Sequence, residues 1–107
     1  MTGAAVGRGV LCRGRVYDVA VLVYDSGRRV TVVESAWPAG VGPGSVDADL
    51  SVWPRPDWKA ADAMFAARVA DLAGSGHVVG PEQQLGPERA RDALDAVQRF
   101  FAAQRLT

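Results

Sequence analysis

The sequence is poor in the residues that usually build metal and thiol sites. Its 107 residues include one cysteine, Cys12, and one histidine, His77. A single cysteine cannot form an internal disulfide or a cysteine-rich zinc site. A nucleophilic thiol needs a base beside it, and nothing in the sequence places His77 near Cys12. We therefore predict no metal, no cofactor and no catalytic residue, and we interpret Cys12 as a small apolar residue near a strand.

Long hydrophobic runs and a net charge are also missing. Every apolar run is far shorter than the ~20 residues that span a bilayer, and residues 1–15 lack the apolar stretch of a signal peptide. We therefore expect a soluble, cytoplasmic protein with no membrane partner. Twelve basic side chains balance twelve acidic ones, which makes a nucleic-acid partner unlikely because such binders usually carry a basic excess. The preference for Arg over Lys and the many alanines are typical of a GC-rich, bacterial genome.

Catalytic motifs are absent as well. The sequence contains no phosphate loop ending in Lys-Ser or Lys-Thr, no HExxH and no GxSxG. His77 is the one ready general base near neutral pH, and Asp47 and Asp49 share a strand face where a carboxylate pair can bind a cation or transfer protons. A loop histidine and a solvent-facing edge explain these residues more simply. Whether the chain is an enzyme stays open, with the balance against it.

The clearest structural signal is the segment Val16–Tyr24, which is rich in β-branched and aromatic residues and contains no Gly or Pro. Both of its faces are apolar, which predicts a central strand that is covered on both sides. Arg28–Glu34 is the next strand, and a turn with Gly27 in the left-handed conformation closes the hairpin.

The flanking segments are less regular. Val10–Cys12 is a candidate short strand before the hairpin. Ala48, Leu50 and Val52 alternate with polar residues, which predicts a half-exposed edge strand whose acidic side chains face water. The Gly- and Pro-rich segment Ser35–Ser45 and the segment Trp53–Pro56 are predicted to be irregular.

Two helices follow. The first is predicted over Asp57–Leu72, with Asp57 as N-cap and Trp58 in its buried apolar stripe. The second is predicted to open at Gly86-Pro87-Glu88. The connection Ser75–Gly86 is long for two helices, and His77–Val79 is a candidate strand within it.

These elements predict one α+β domain over residues 1–107: an antiparallel sheet of 3–4 strands, with an N-terminal β-hairpin, packed by two C-terminal helices as a two-layer sandwich. Two helices on one side leave the other apolar face of the Val16–Tyr24 strand uncovered. A homodimer or a protein partner would cover that face.

The aromatic residues suggest where a partner binds. Trp37 and Trp53 border the irregular segments, where Trp either anchors an interface or caps the open end of a sheet. We therefore expect a small non-catalytic interaction domain, of the accessory, adaptor or immunity type, that binds a protein partner or self-associates through its sheet and Trp-bearing loops. The candidate binding residues are Trp37, Trp53, Tyr17, Tyr24, Arg28, Arg29 and His77.

Two alternatives remain at this point. A small molecule would bind in a pocket between sheet and helices, contacted by His77, by Tyr17 or Tyr24, and by Asp47. Nucleic acid would bind an Arg-rich end of the sheet. The arginines proposed to gather there are Arg13, Arg15, Arg28 and Arg29.

Overall fold

The computed structural model describes residues 6–27, 29–40, 49–86 and 90–105, with only the backbone for 103–105. Within these residues the chain is α+β, with an antiparallel sheet of six strands and two helices. The sheet is larger than the predicted 3–4 strands. The elements are β1 (Gly7–Arg13), β2 (Tyr17–Asp25), β3 (Val30–Pro38), β4 (Asp49–Arg55), α1 (Trp58–Gly74), β5 (Val78–Val79), β6 (Gln83–Leu85) and α2 (Ala93–Arg105).

The predicted hairpin strand is at the centre of the sheet. The strand order is β4-β3-β2-β1, and β5 and β6 both pair with the outer side of β1. Val21 of β2 pairs with Val10 on one side and with Glu34 on the other. The turn from β2 to β3 uses Gly27 at φ 95°, and the Asp25 side chain accepts a hydrogen bond from the Gly27 N–H. The hairpin and its left-handed glycine are therefore confirmed.

The helices cover opposite faces of the sheet. Val21 of β2 belongs to a core cluster with Phe65 of α1, whereas Leu22 belongs to a second cluster with Phe100 of α2. Val21, Leu22 and Phe100 are all fully buried. The predicted two-layer sandwich is therefore wrong: the chain forms three layers, and α2 covers the face that was expected to be open.

The long connection between the helices explains this arrangement. After α1, the chain adds β5 beside Cys12 and Arg13, and then β6 beside Gly7–Gly9 at the other end of β1. The connection thus runs along the edge of the sheet as two short strands. It leaves α1 on one face and enters α2 on the other, which a short turn between helices could not do.

Two strands extend through segments that were predicted to be irregular. β3 continues through Trp37 to Pro38, and β4 continues through Trp53 and Pro54 to Arg55. Pro38 is the last residue of its strand, and Pro54 lies in an edge strand, which is one of the places where a sheet tolerates proline. The glycine-rich remainder, residues 41–48, lies outside the described residues.

Helix α1 begins where predicted, because the Asp57 side chain accepts a hydrogen bond from the Ala60 N–H at 2.8 Å. Trp58, however, is 39% exposed and not part of the core. Helix α2 begins at Ala93 and not at Gly86, and the Asp92 side chain accepts from the Asp95 N–H. The expected opening residues Pro87 and Glu88 lie outside the described residues. Neither helix in the described ranges is long and apolar enough to cross a membrane.

Candidate functional site

The predicted binding residues do not form one surface. Tyr24 and Trp37 are buried in the α2-facing core, each 3% exposed, and the Trp37 ring packs edge-to-face on Phe101 at 5.0 Å. Burial raises the pKa of the Tyr24 hydroxyl, and the nearby Asp92 carboxylate raises it further. These two aromatic side chains stabilise the core and offer little area to a partner.

The arginines do not gather at one end of the sheet. Arg13 and Arg15 lie at the turn between β1 and β2, whereas Arg29 lies at the turn between β2 and β3. The nine residues of β2 separate these turns, which is roughly 25–30 Å at the rise of a β-strand. Arg28 lies outside the described residues. The expected Arg-rich end is therefore wrong, and the described arginines do not support a nucleic-acid surface.

Tyr17 and His77 do come together, at a cleft where the turn between β1 and β2 meets the C-terminal end of α1. We call it the β1–β2 cleft; its volume is about 430 Å³. The lining residues are Gly14, Arg15, Val16, Tyr17, Ser75, Gly76 and His77.

His77 closes the inner side of this cleft. Its backbone N–H donates to the Leu72 carbonyl at 3.0 Å, but neither of its ring nitrogens has a hydrogen-bond partner among the described residues, and both are buried. A Cβ at Gly14 would lie 2.7 Å from the His77 Nε2 atom, so the imidazole packs closely against the glycine backbone. A buried ring nitrogen without a hydrogen-bond partner lowers the stability of the fold. The cleft is therefore a candidate ligand-binding site.

A second candidate site is β4, an outer strand of the sheet. The outer side of β1 is covered by β5 and β6, whereas β4 pairs with β3 alone among the described residues. Five of the seven residues of β4 are exposed. Among the described residues, one edge of the sheet is thus the seven-residue β4, and the other consists of the short strands β5 and β6, of two and three residues.

The side chains of β4 are also unusual for this sheet. Leu50 is 42% exposed and Val52 is 44% exposed, although Val33, the neighbour of Val52 on β3, is fully buried. Both were expected to face the core, with the acidic residues facing water. In the structure α1 packs on the opposite face of the strand, where Trp53 joins the α1-facing cluster. Leu50 and Val52 consequently lie on the α2 side of the sheet, beyond the area that α2 covers.

Trp53 is held on that α1-facing side by a charged pair. The Arg68 guanidinium lies 5.6 Å from the Trp53 ring centroid and donates two hydrogen bonds to Glu34, at 2.7 and 2.9 Å. The bond to Glu34 raises the pKa of Arg68. Trp53 is therefore half-buried, with Arg68 of α1 over its ring, whereas its strand neighbours Val52 and Pro54 are exposed.

The proline in β4 fixes which backbone groups face outward. Pro54 pairs with Thr31, and because proline has no N–H, that pair must be one whose backbone groups point away from the partner strand. Backbone direction alternates along a strand. The N–H and C=O groups of Leu50 and Val52 therefore also point outward, towards solvent. We call this row, Leu50, Val52 and Pro54, the β4 edge.

Opposite charges lie at the two ends of the strand. Asp49 begins β4 and Arg55 ends it, and both side chains lie on the face opposite to Leu50 and Val52. The Arg55 Nε atom donates to the Pro54 carbonyl at 2.9 Å, which holds the guanidinium near the free edge. Within the described ranges, neither Asp49 nor Arg55 forms an ion pair.

Sequence reasoning predicted that this strand lies at an edge and named Leu50 and Val52 as its apolar residues, but it did not predict that both are exposed or that their backbone groups point outward, and it did not single out Arg55. The missing signal was Pro54. A proline at an even position of the strand indicates that the other even positions also direct their backbone groups outward.

The described part of the chain contains no group of three or more His, Cys, Asp or Glu side chains that could hold a metal ion. A scan of protein-family models gives no match, and neither does comparison with curated proteins or with solved structures. The functional conclusion therefore depends on the geometry of the two sites.

Proposed function

We propose that this chain is a small non-catalytic protein-interaction domain whose working surface is the β4 edge. The observation that carries the proposal is the difference between the two edges of the sheet among the described residues: β4 has seven residues, whereas β5 and β6 have only two and three. Exposed edge strands readily accept a further strand, and short strands or an outward proline limit such pairing. On β4 the proline is residue 54, which leaves Leu50 and Val52 available.

The β4 edge has the components of a strand-addition site. The outward backbone groups of Leu50 and Val52 can pair with an incoming strand, and each such hydrogen bond contributes about 0.5–1.5 kcal/mol net. The exposed side chains of Leu50 and Val52 add apolar area that a partner would remove from water. Main-chain pairing supplies affinity in this mode, and alternate side chains supply selectivity.

The edge of the sheet, and not its face, is now the reason to expect association. An uncovered sheet face was the original reason to expect association, but α2 packs on that face. The proposal now depends on the edge of the sheet and not on its face. Of the predicted binding residues, Trp53 lies nearest to this edge, on the same strand.

The test is site-specific photo-crosslinking in the native host. A photoreactive side chain replaces Leu50 on the β4 edge or, as matched control, Ala66, which is exposed on α1. We expect reproducible protein adducts from position 50 only. A companion change, Val52→Pro, removes an outward N–H without touching the ladder to β3, and we expect it to abolish the adducts. Equal adducts from positions 50 and 66, or adducts that survive Val52→Pro, would contradict the proposal.

A second candidate function is the binding of a small anion in the β1–β2 cleft. It is favoured by the orphaned ring nitrogens of His77 and by Arg15, which carries the one full charge among the lining residues. The C-terminal end of α1 opposes an anion there, and this candidate therefore ranks second.

The cleft can be examined by NMR, because the single histidine of the sequence gives one set of imidazole signals. Binding predicts that phosphate or benzoate shifts the His77 signals with saturation, and that Arg15→Met removes the effect. Shifts that rise linearly with ligand concentration without saturating, or that Arg15→Met leaves unchanged, would exclude a specific binding site.

A further inference from the structure

We infer that the β1–β2 cleft binds a small aromatic monocarboxylic acid in preference to phosphate. This rests on the second candidate function, because it names the class of anion for the same cleft. It does not depend on the β4 edge, since β4 pairs with β3 and not with either strand of the β1–β2 hairpin among the described residues.

The backbone N–H groups around the cleft are mostly occupied. Four lining residues already donate their N–H within the fold, and these are Gly14, Ser75, Gly76 and His77. The last three donate to carbonyls in the final turn of α1, and Gly14 donates to the Asp18 carboxylate at 3.2 Å. Phosphate sites commonly use several free backbone N–H groups, and the cleft lacks such an arrangement at these four residues.

The charges around the cleft favour a ligand with a single negative charge. Arg15 carries the one full charge among the lining residues, is exposed, and forms no ion pair within the described part of the chain. The C-terminal end of α1 carries a partial negative charge, and the Asp18 carboxylate lies beside the turn. Both oppose phosphate, which bears more than one negative charge at neutral pH, more strongly than they oppose a carboxylate.

The side-chain donors suit the shape of a carboxylate. The planar guanidinium of Arg15 can form two parallel hydrogen bonds with the two oxygens of a carboxylate. The Tyr17 hydroxyl has no hydrogen-bond partner among the described residues and can donate a further one. These two groups supply the donors that the backbone does not.

The apolar lining suits an aromatic ring joined to that carboxylate. Val16 is 68% exposed and Tyr17 is 52% exposed, and both directly follow Arg15 in the chain. A ligand ring can pack on the Tyr17 ring, and its contact with Val16 removes apolar area from water. The volume of about 430 Å³ is within the range of small-molecule sites.

His77 reports on binding and does not select the charge of the ligand. Both of its ring nitrogens are buried, and the ring packs against Gly14. A neutral imidazole has one N–H and one acceptor nitrogen, so a carboxylate oxygen can accept from one nitrogen only. Because the ring adjoins the lining of the cleft, its NMR signals are expected to move when a ligand binds.

An NMR titration of the His77 imidazole signals tests the ligand class at constant pH and ionic strength. The probes are benzoate, benzamide, acetate and phosphate. Benzamide keeps the ring but has no charge, whereas acetate keeps the carboxylate but has no ring. We expect saturable shifts with benzoate, and binding at least about tenfold weaker for each of the other three probes.

Three variants test the residues that contact the ligand. Arg15→Met is expected to weaken benzoate binding about tenfold or more, because it removes the charge-assisted hydrogen bonds. Arg29→Met is the matched control, since Arg29 is an exposed arginine at the opposite end of β2, and it should leave the affinity unchanged. Tyr17→Leu should weaken binding about threefold or more through the loss of ring packing. Circular dichroism of each variant verifies that the fold is retained.

A free acid and the C-terminus of a polypeptide present the same carboxylate, and a further probe separates them. We expect benzoate to bind more tightly than the tripeptide Gly-Gly-Phe, because fewer bonds lose their rotation on binding. Tighter binding of the tripeptide would show that a small acid is the wrong ligand.

The outcomes separate this inference from the second candidate function. If phosphate saturates the shifts at lower concentration than benzoate, the aromatic acid is the wrong ligand class but the cleft is still an anion site. If Arg29→Met weakens benzoate binding as much as Arg15→Met does, the contact with Arg15 is refuted. If none of the probes saturates, the anion-binding cleft itself is refuted.

Discussion

Two adjacent residues of β2 provide the sharpest test of the three-layer fold. Val21 and Leu22 are both fully buried, but Val21 faces α1 and Leu22 faces α2. Replacing Leu22 with Ala is expected to cost about 2–5 kcal/mol of the free energy of unfolding, the usual range for a buried leucine. Val21→Ala removes two carbons, worth about 1.6 kcal/mol by transfer, and the cavity that remains brings the loss to about 2 kcal/mol.

The measurement is equilibrium unfolding in urea, analysed by linear extrapolation. All variants are compared at one protein concentration, so that any association affects them alike. Val78→Ala is the control, because Val78 is 70% exposed and its truncation should change the free energy by less than about 0.5 kcal/mol. In a two-layer sandwich one of the two β2 variants would behave like this control. A loss below about 0.5 kcal/mol for either Val21→Ala or Leu22→Ala would therefore refute the three-layer fold.

Three further predictions follow from local geometry. Gly14→Ala should lower the free energy of unfolding by about 1–3 kcal/mol, because its Cβ would lie 2.3 Å from the Tyr17 carbonyl oxygen. Gly74→Ala should raise it by about 0.5–1 kcal/mol, because a Cβ there has nothing within 4 Å. Thermal unfolding compares the two variants. Burial raises the pKa of the Cys12 thiol, and Glu34 raises it further. At pH 8, iodoacetamide should therefore label the unfolded chain but not the native one. Rapid labelling of the native chain would contradict this expectation. The hydrogen bond from the Arg91 N–H, with help from Arg99, lowers the pKa of Asp95 below its usual 3.8. Asp95 therefore stabilises the fold above the unfolded pKa, and the difference in stability between the original chain and Asp95→Asn should disappear as the pH falls through the folded pKa.

The local elements of this fold could be predicted from the sequence. The central strand, the glycine turn and the Asp57 cap each depend on residues that are neighbours in the chain. Their propensities act over a few residues, and tertiary contacts here reinforce them. The edge character of the strand near Leu50 was also visible, because alternation with polar residues is a local pattern.

The relative placement of the helices could not be predicted in the same way. The apolar stripes of α1 and α2 indicate that each helix packs on the sheet, but not on which face. The route of the chain between Ser75 and Gly86 decides this, and that route depends on β5 and β6 finding the outer side of β1. Strands of two and three residues carry too little periodicity to be recognised in advance.

The proposed site was harder to predict because it is defined by backbone groups and not by side-chain chemistry. Tyr17 and His77 were predicted from their chemistry, and the structure places them in one cleft. Leu50 and Val52 have ordinary side chains, and they are of interest because their N–H groups point outward from a strand that pairs with β3 alone among the described residues. Side-chain chemistry directed attention to tryptophan and arginine, whereas the outward direction of the backbone groups becomes apparent only once the register of β4 on β3 is known.

The two short strands along β1 have a consequence for the size of any assembly. A sheet with two open edges can add copies without limit, and this is how strand pairing leads to fibres. In the described residues the far edge consists of β5 and β6, which have two and three residues, and strands this short offer an incoming strand few backbone groups. Assembly by strand pairing at β4 would therefore find little to continue from at the far edge. Variants that loosen β5 or β6 would expose the seven-residue β1 as an edge, and they are expected to polymerise as well as to lose stability.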